Sequence, residues 1–125
     1  MNGNRLFLDT NILIYLLKGN KEIEQLLDRK DFIISFVTEL ELLSFPLSSY
    51  KEQRVIETLL SDCIIIEINK DIKLKTIAIR KKFKLKLPDA IICATSIFMD
   101  LPLLTADKQL FHVDEANILF YETNI

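Results

Sequence analysis

The sequence predicts an α/β fold, a three-layer α/β/α sandwich around a central, mostly parallel sheet of about five short strands. Three observations predict it. Short apolar runs alternate with longer amphipathic segments along the whole chain. The runs are continuously apolar instead of alternating, which marks strands covered on both faces. Helical patterns separate them, as parallel strands require.

The elements follow in order. Arg5 to Leu8 is the first strand, with helical patterns over about Ile12 to Leu17 and Lys21 to Leu27 after it. Phe32 to Ser35 is the second strand. Thr38 begins a helix that must end before Pro46, because the residue preceding a proline is pushed out of the helical region. Ser49 caps the next helix, which runs to about Leu60, and Cys63 to Ile66 is the third strand. From Asp71 to Phe83, apolar Ile72, Ile77, Ile79 and Phe83 interleave with lysines, giving a helix with one wet and one dry face. Pro88 opens a helix over Asp89 to Met99 in which almost no polar face remains, so it is buried on several sides. Leu103 to Thr105 and Ile118 to Phe120 supply the fourth and fifth strands. With no repeat, low-complexity tract or linker, residues 1–125 form a single domain.

At 125 residues and 50% hydrophobic content the chain buries enough surface to fold without disulfides or a structural metal. Cys63 and Cys93 form no CxxC pair and have only His112 for company, which excludes zinc fingers and ribbons. Glycine occurs only at Gly3 and Gly19, so neither a GxxxxGK[ST] loop nor a GxGxxG fingerprint can be written. One histidine also rules out catalysis by paired histidines within the chain, and His112 is assigned no role. The longest apolar run, Ile12 to Leu17, is far short of the roughly 20 residues that span a bilayer. The first residues lack the apolar region of a signal peptide. A cytoplasmic protein with no membrane association is expected. The net charge of −2 hides a segregation: Lys70 to Lys86 carries +7 and the remainder −9.

In open parallel sheets ligands bind outside the carboxyl ends of the strands, where the strand order reverses. Four acids fall at strand ends or helix starts. Asp9 follows the first strand, Glu41 lies in the first turn after the second, Asp89 opens the apolar helix and Asp107 follows the fourth strand. Each also has a plain structural reading. Asp9 could cap the Ile12 helix, Thr38 and Glu41 fit a capping box, Asp89 after Pro88 suits a positive helix end, and Asp107 could cap a turn. As a group they make a stronger statement, since gathered carboxylates repel one another until protonated or neutralised by a cation. An all-oxygen set without thiolates suits Mg²⁺ or Mn²⁺, which polarise a phosphodiester and activate a bound water without a histidine base.

Four motifs carry a resemblance: Leu6-Phe7-Leu8-Asp9-Thr10-Asn11, Ser35-Phe36-Val37-Thr38-Glu39-Leu40-Glu41-Leu42-Leu43, Leu87-Pro88-Asp89-Ala90-Ile91-Ile92-Cys93-Ala94-Thr95 and Pro102-Leu103-Leu104-Thr105-Ala106-Asp107. In this order and spacing the chain resembles PIN domains, specifically the VapC-like toxins of toxin-antitoxin pairs. The resemblance implies a Mg²⁺- or Mn²⁺-dependent endoribonuclease in which Asp9, Glu41, Asp89 and Asp107 bind the metal and Asn11 and Thr105 orient carboxylates or waters. Glu39 competes with Glu41 for the second position, and the interval from Ser35 and Thr38 favours Glu41. It further implies an RNA substrate, a homodimer and an antitoxin covering a groove, for which the first helices and the Thr38 to Leu60 region are the candidates. Ser44-Phe45-Pro46 stands where many relatives carry a small residue, and Ala106 where Arg or Asn is often found. Lys84 and Lys86, nearest Asp89 in the basic stretch, are expected to contact RNA; the alternative for the stretch is a solvated helix face.

Two rivals stand beside this reading. A haloacid-dehalogenase-like phosphatase also has an Asp after its first strand, but Asn11 occupies the place of its second Asp and no segment is left for a cap domain. A PIN-like module that binds RNA or protein without cutting is the other; the presence of all four acids argues against it.

Overall fold

The computed structural model describes residues 4–46 and 49–122. Residues 1–3, where a leader was sought, and 47–48, inside the segment named for a groove, lie outside the described residues, as do 123–125. Strand β1 (Arg5–Leu8) leads into α1 (Thr10–Leu17) and α2 (Lys21–Leu27); β2 (Asp31–Ser35) leads into α3 (Phe36–Leu43) and α4 (Tyr50–Ser61). After β3 (Ile64–Ile66) come α5 (Lys70–Lys82), α6 (Leu87–Met99), β4 (Leu103–Thr105), a short 3-10 helix (Lys108–His112) and β5 (Ile118–Phe120).

The five strands pair in the order β3-β2-β1-β4-β5, and every pairing is parallel. Successive side chains of a strand point to opposite faces, and the core divides accordingly. Phe7, Ile33 and Leu103 pack against Ile72 and Ile79 of α5 and Ile91, Ile92 and Cys93 of α6. Leu6, Leu8, Ile34 and Leu104 pack against Ile12 and Leu13 of α1, Ile23 and Leu27 of α2, Leu42 of α3, and Ile56 and Leu60 of α4. These two apolar layers are the α/β/α sandwich that continuous apolar strands predict, and each fully buried Phe, Leu or Ile contributes roughly 1.5–3 kcal/mol. Ala90 through Ser96 of α6 are buried without a break, as its missing polar face requires.

Capping chemistry sets the helix boundaries. The Asp9 carboxylate caps α1 and the Asn20, Ser49 and Asn69 side chains cap α2, α4 and α5. Gly19, at φ +81° just past α1, supplies the left-handed residue that ends a helix and turns the chain. One boundary differs from the sequence reading in a way that matters for function. Ser35, not Thr38, caps α3, its Oγ accepting the backbone N–H of Val37. The capping box is therefore absent, Thr38 is inside the helix, and Glu41 stands in the second turn instead of the first.

The topology also fixes where a site can form. From β1 the chain builds outward through β2 to β3, then returns to the other side of β1 with β4 and β5. The strand order reverses between β1 and β4. A crevice must open at their carboxyl ends, where Asp9 and Thr105 stand.

Candidate active site

The register of β1 and β4 builds the first part of the site. Phe7 pairs with Leu103 and Leu8 with Leu104, and the Asp9 N–H donates to the Leu104 carbonyl at 3.0 Å. Asp9 and Thr105 are thereby neighbours across the switch point. The Thr105 hydroxyl donates to Asp9 Oδ2 at 2.6 Å and accepts the Asp107 N–H at 3.0 Å. The Thr10 N–H donates to Asp9 Oδ1 at 2.8 Å. One oxygen of Asp9 is thus a helix cap while the other joins the crevice. Asn11 Oδ1 accepts the Ala106 N–H at 3.3 Å, tying α1 to the exit of β4.

A second set of bonds brings in α3. The Thr10 hydroxyl donates to Glu41 Oε1 at 2.6 Å. Its single hydrogen is spent there, so across the 2.9 Å contact with Thr38 Oγ1 it must accept. The chain of bonds runs Thr38 to Thr10 to Glu41. Thr38 and Thr10 are buried, whereas Glu41 reaches out to the exposed lip. Sequence reasoning singled out Asn11 and Thr105 but missed this pair, because Thr38 was read as a cap. The available signal was its position three residues before Glu41, which inside a helix puts both on one face.

Electrostatics ties the four acids together. Asp9 is 4% exposed. Burial pushes its pKa up to about 6 against the hydrogen bonds from Thr105 and Thr10, and repulsion from Asp89 and Asp107 adds to the rise. Asp89, half-buried in the first turn of α6, is also raised: burial first, then Asp107 and Glu41 repel its charge, with the Lys86 ammonium opposing. Cys93, one helical turn beyond Asp89, faces Asp9, Asp89 and Asp107 from below; burial and their charges push its thiol up to about 12. Asp107 caps the 3-10 helix, its Oδ1 accepting the Gln109 N–H at 2.9 Å. It is Glu41, not Glu39, whose charge reaches Asp89. His112 is exposed at the end of the 3-10 helix, edge-on to Phe111.

The donor set suits a hard divalent cation. Carboxylate and hydroxyl oxygens surround the crevice, and the one thiol near them stays protonated. Among the described residues no three His, Cys, Asp or Glu side chains form a group that could hold a metal ion.

Two concave surfaces lie on the two helical layers. Lys84 and Lys86, exposed on the turn between α5 and α6, line a basic concavity of about 560 Å³ with Arg80 and Lys81. On the opposite layer an apolar cleft of about 440 Å³ runs between α1 and α4, lined by Ile14, Leu17, Phe45, Pro46, Val55 and Ile56 among others. No helix among the described residues is long and apolar enough to cross a membrane.

Residues 6–116 match the family model of the PIN domain. A chain of a toxin-antitoxin complex from Klebsiella pneumoniae is 34% identical and superposes with a TM-score of 0.82, over 94% of this chain and 99% of that one. A chain of VapBC-1 from nontypeable Haemophilus influenzae is 25% identical, with a TM-score of 0.78 over 93% of this chain and 97% of that one. A chain of VapBC2 from Rickettsia felis, solved bound to a DNA fragment from its promoter, has the same fold at 18% identity, with a TM-score of 0.84 over 94% and 99% of the two chains. No curated protein matches the chain.

Proposed function

Since the chain belongs to the PIN domain family and is VapC-like, we propose that it is a divalent-metal-dependent endoribonuclease, the toxin of a toxin-antitoxin pair, with Asp9, Glu41, Asp89 and Asp107 as its metal-binding and catalytic acids. The observation that carries this reading is that buried Asp9, at the switch point of the sheet, is repelled by Asp89 and Asp107, while Asp89 is repelled by Asp107 and Glu41. A protein does not hold such neighbours for stability, because they raise the cost of ionising Asp9 and Asp89. When bound, Mg²⁺ or Mn²⁺ supplies a Lewis acid for the phosphodiester and a water of lowered pKa.

The chain's own residues do the positioning. Thr105 and the Thr10 N–H hold the two oxygens of Asp9 in fixed directions. The Thr10 hydroxyl, itself accepting from Thr38, holds Glu41, which its exposure would otherwise leave free to rotate. Asn11 keeps the helix that carries Thr10 in register with the segment that carries Asp107. Lys84 and Lys86 draw RNA phosphates toward an otherwise acidic face. The apolar cleft between α1 and α4 suits the apolar side chains of an antitoxin segment, in the part of the chain the family resemblance indicates; homodimerisation rests on that resemblance.

The test is cleavage of single-stranded RNA by purified protein with Mg²⁺ or Mn²⁺, with EDTA, and with Asp9→Asn. Cleavage requiring the ion and lost in Asp9→Asn supports the proposal. Cleavage that persists in EDTA excludes it, and binding without cleavage under any ion assigns the chain to the non-cutting modules.

A further inference from the structure

Resting on the ribonuclease reading for the kind of strand, we propose that the concavity at the end of α5, lined by Ile77, Arg80, Lys81, Lys84, Leu85 and Lys86, is a seat for the sugar-phosphate backbone of single-stranded RNA on its way to the carboxylates. The basic residues of this stretch fall into two groups. Lys75 and Lys82 are neutralised by Glu115 at 3.3 Å and Asp114 at 3.7 Å. Among the described residues Lys70, Lys73, Arg80, Lys81, Lys84 and Lys86 form no salt bridge, and the last four of these line the concavity. Solubility alone gives no reason for four of these six unpaired cations to gather in one hollow.

Compensation of the helix dipole accounts for only part of the arrangement. Arg80 and Lys81 lie in the last turn of α5, where cations are favoured. Lys84 and Lys86 stand beyond the helix and gain nothing from its carbonyls. The hollow is also more than charge, because half-exposed Ile77 gives it apolar surface against which riboses and unstacked bases can lie. Arg80 donates its Nε–H to the Leu85 carbonyl at 3.4 Å, which turns the guanidinium plane toward the loop. Guanidinium planes stack on single-stranded bases.

Direction follows from connectivity. Lys86 is the N-cap of α6 and Asp89 is in its first turn. A strand lying in the concavity therefore leads onto the acid edge. Without the four positive charges of this seat the net charge of −2 becomes −6, and an approaching polyanion is repelled.

The test compares two double variants that each remove two positive charges from α5: Arg80→Gln with Lys81→Gln inside the concavity, and Lys75→Gln with Lys82→Gln outside it. Binding of a labelled single-stranded RNA about twelve nucleotides long is read by fluorescence anisotropy in EDTA over a salt series, so that failure of cleavage and failure of the seat are separate results. Each lost phosphate contact reduces the slope of log K against log salt by about 0.7 for single strands. The inner pair is expected to flatten the slope by about 1.4 and weaken binding roughly tenfold at moderate salt, and Lys81→Gln alone by about half that slope. The outer pair leaves both unchanged. Equal losses from both pairs reduce the effect to net charge and overturn the proposal, as does no loss from the inner pair. Competition by poly-glutamate as strong as by RNA overturns it in favour of an acidic protein partner.

Discussion

The hydroxyl of Thr10 donates to Oε1 of Glu41 at 2.6 Å, linking the first turn after β1 to the second turn of α3 across 31 residues of sequence. Glu41 is exposed, and an exposed glutamate retains rotamer freedom unless something removes it. Thr10→Val keeps the shape of the buried side chain and deletes the donor. We expect ribonuclease turnover to fall about 10-fold or more, the usual scale for groups that orient a metal ligand, with Thr10→Ser largely restored. Single-turnover cleavage at saturating Mn²⁺ checks this; wild-type rates in Thr10→Val would relieve Glu41 of any need for orientation.

Asp9 sets the pH dependence of stability. Its folded pKa of about 6 lies above the ordinary 3.8, so the native state holds the proton more tightly than the unfolded chain. That contribution is complete below about pH 3.8 and is lost as pH climbs through 6. Asp89 shifts in the same direction. In EDTA, urea midpoints should therefore decline between about pH 4 and 7. Asp9→Asn removes most of this decline and is expected to stabilise the metal-free protein at pH 7.5 by up to about 3 kcal/mol while abolishing cleavage. A midpoint that rises over the same interval would contradict the buried, repelled state of Asp9.

How legible this was in the sequence differs from element to element. The sheet was legible because Leu6-Phe7-Leu8, Ile33-Ile34 and Leu103-Leu104 are apolar on both faces, and burial on both faces admits few arrangements. The start of α3 was not. Ser35 and Thr38 are both competent caps, and only the exit of β2 at Ser35 decides between them. Asp9 and Asp107 do act as caps, which leaves a place in a site open to both, since a carboxylate has two oxygens and more acceptor positions than a cap consumes. The Thr38–Thr10–Glu41 chain was beyond reach, because it depends on how α1 and α3 pack, and neighbouring residues do not encode that distance. Charge clustering from Lys70 to Lys86 was visible, but not its division into neutralised Lys75 and Lys82 and the free lining of the hollow, which depends on Asp114 and Glu115 folding back.

The apolar cleft gives a prediction separable from catalysis. Val55 is about half exposed within it, too far from the core for a polar substitution to unfold α4. Val55→Asp places an unpaired charge where an antitoxin segment would bury apolar surface, and interface positions of this kind cost about 2 kcal/mol or more. Binding to the cognate antitoxin should weaken at least tenfold while RNA cleavage by the free toxin stays unchanged. Isothermal titration against the antitoxin, paired with a cleavage assay, separates the two, and unaltered affinity would move the partner surface elsewhere.

Metal binding itself has a readout that needs no substrate. An ion that binds the native state and not the unfolded chain stabilises by about 2.7 kcal/mol at a hundredfold excess over its Kd. In a chain of this size that raises Tm by several degrees. Mn²⁺ relieves the repulsion among Asp9, Asp89, Asp107 and Glu41, so wild type should gain stability and Asp9→Asn should gain little. Lys75→Gln, whose ammonium pairs with Glu115 in place of any of the four acids, should respond like wild type. Calorimetric melts with and without Mn²⁺ decide it: equal gains in wild type and Asp9→Asn would put the ion somewhere other than the crevice between β1 and β4.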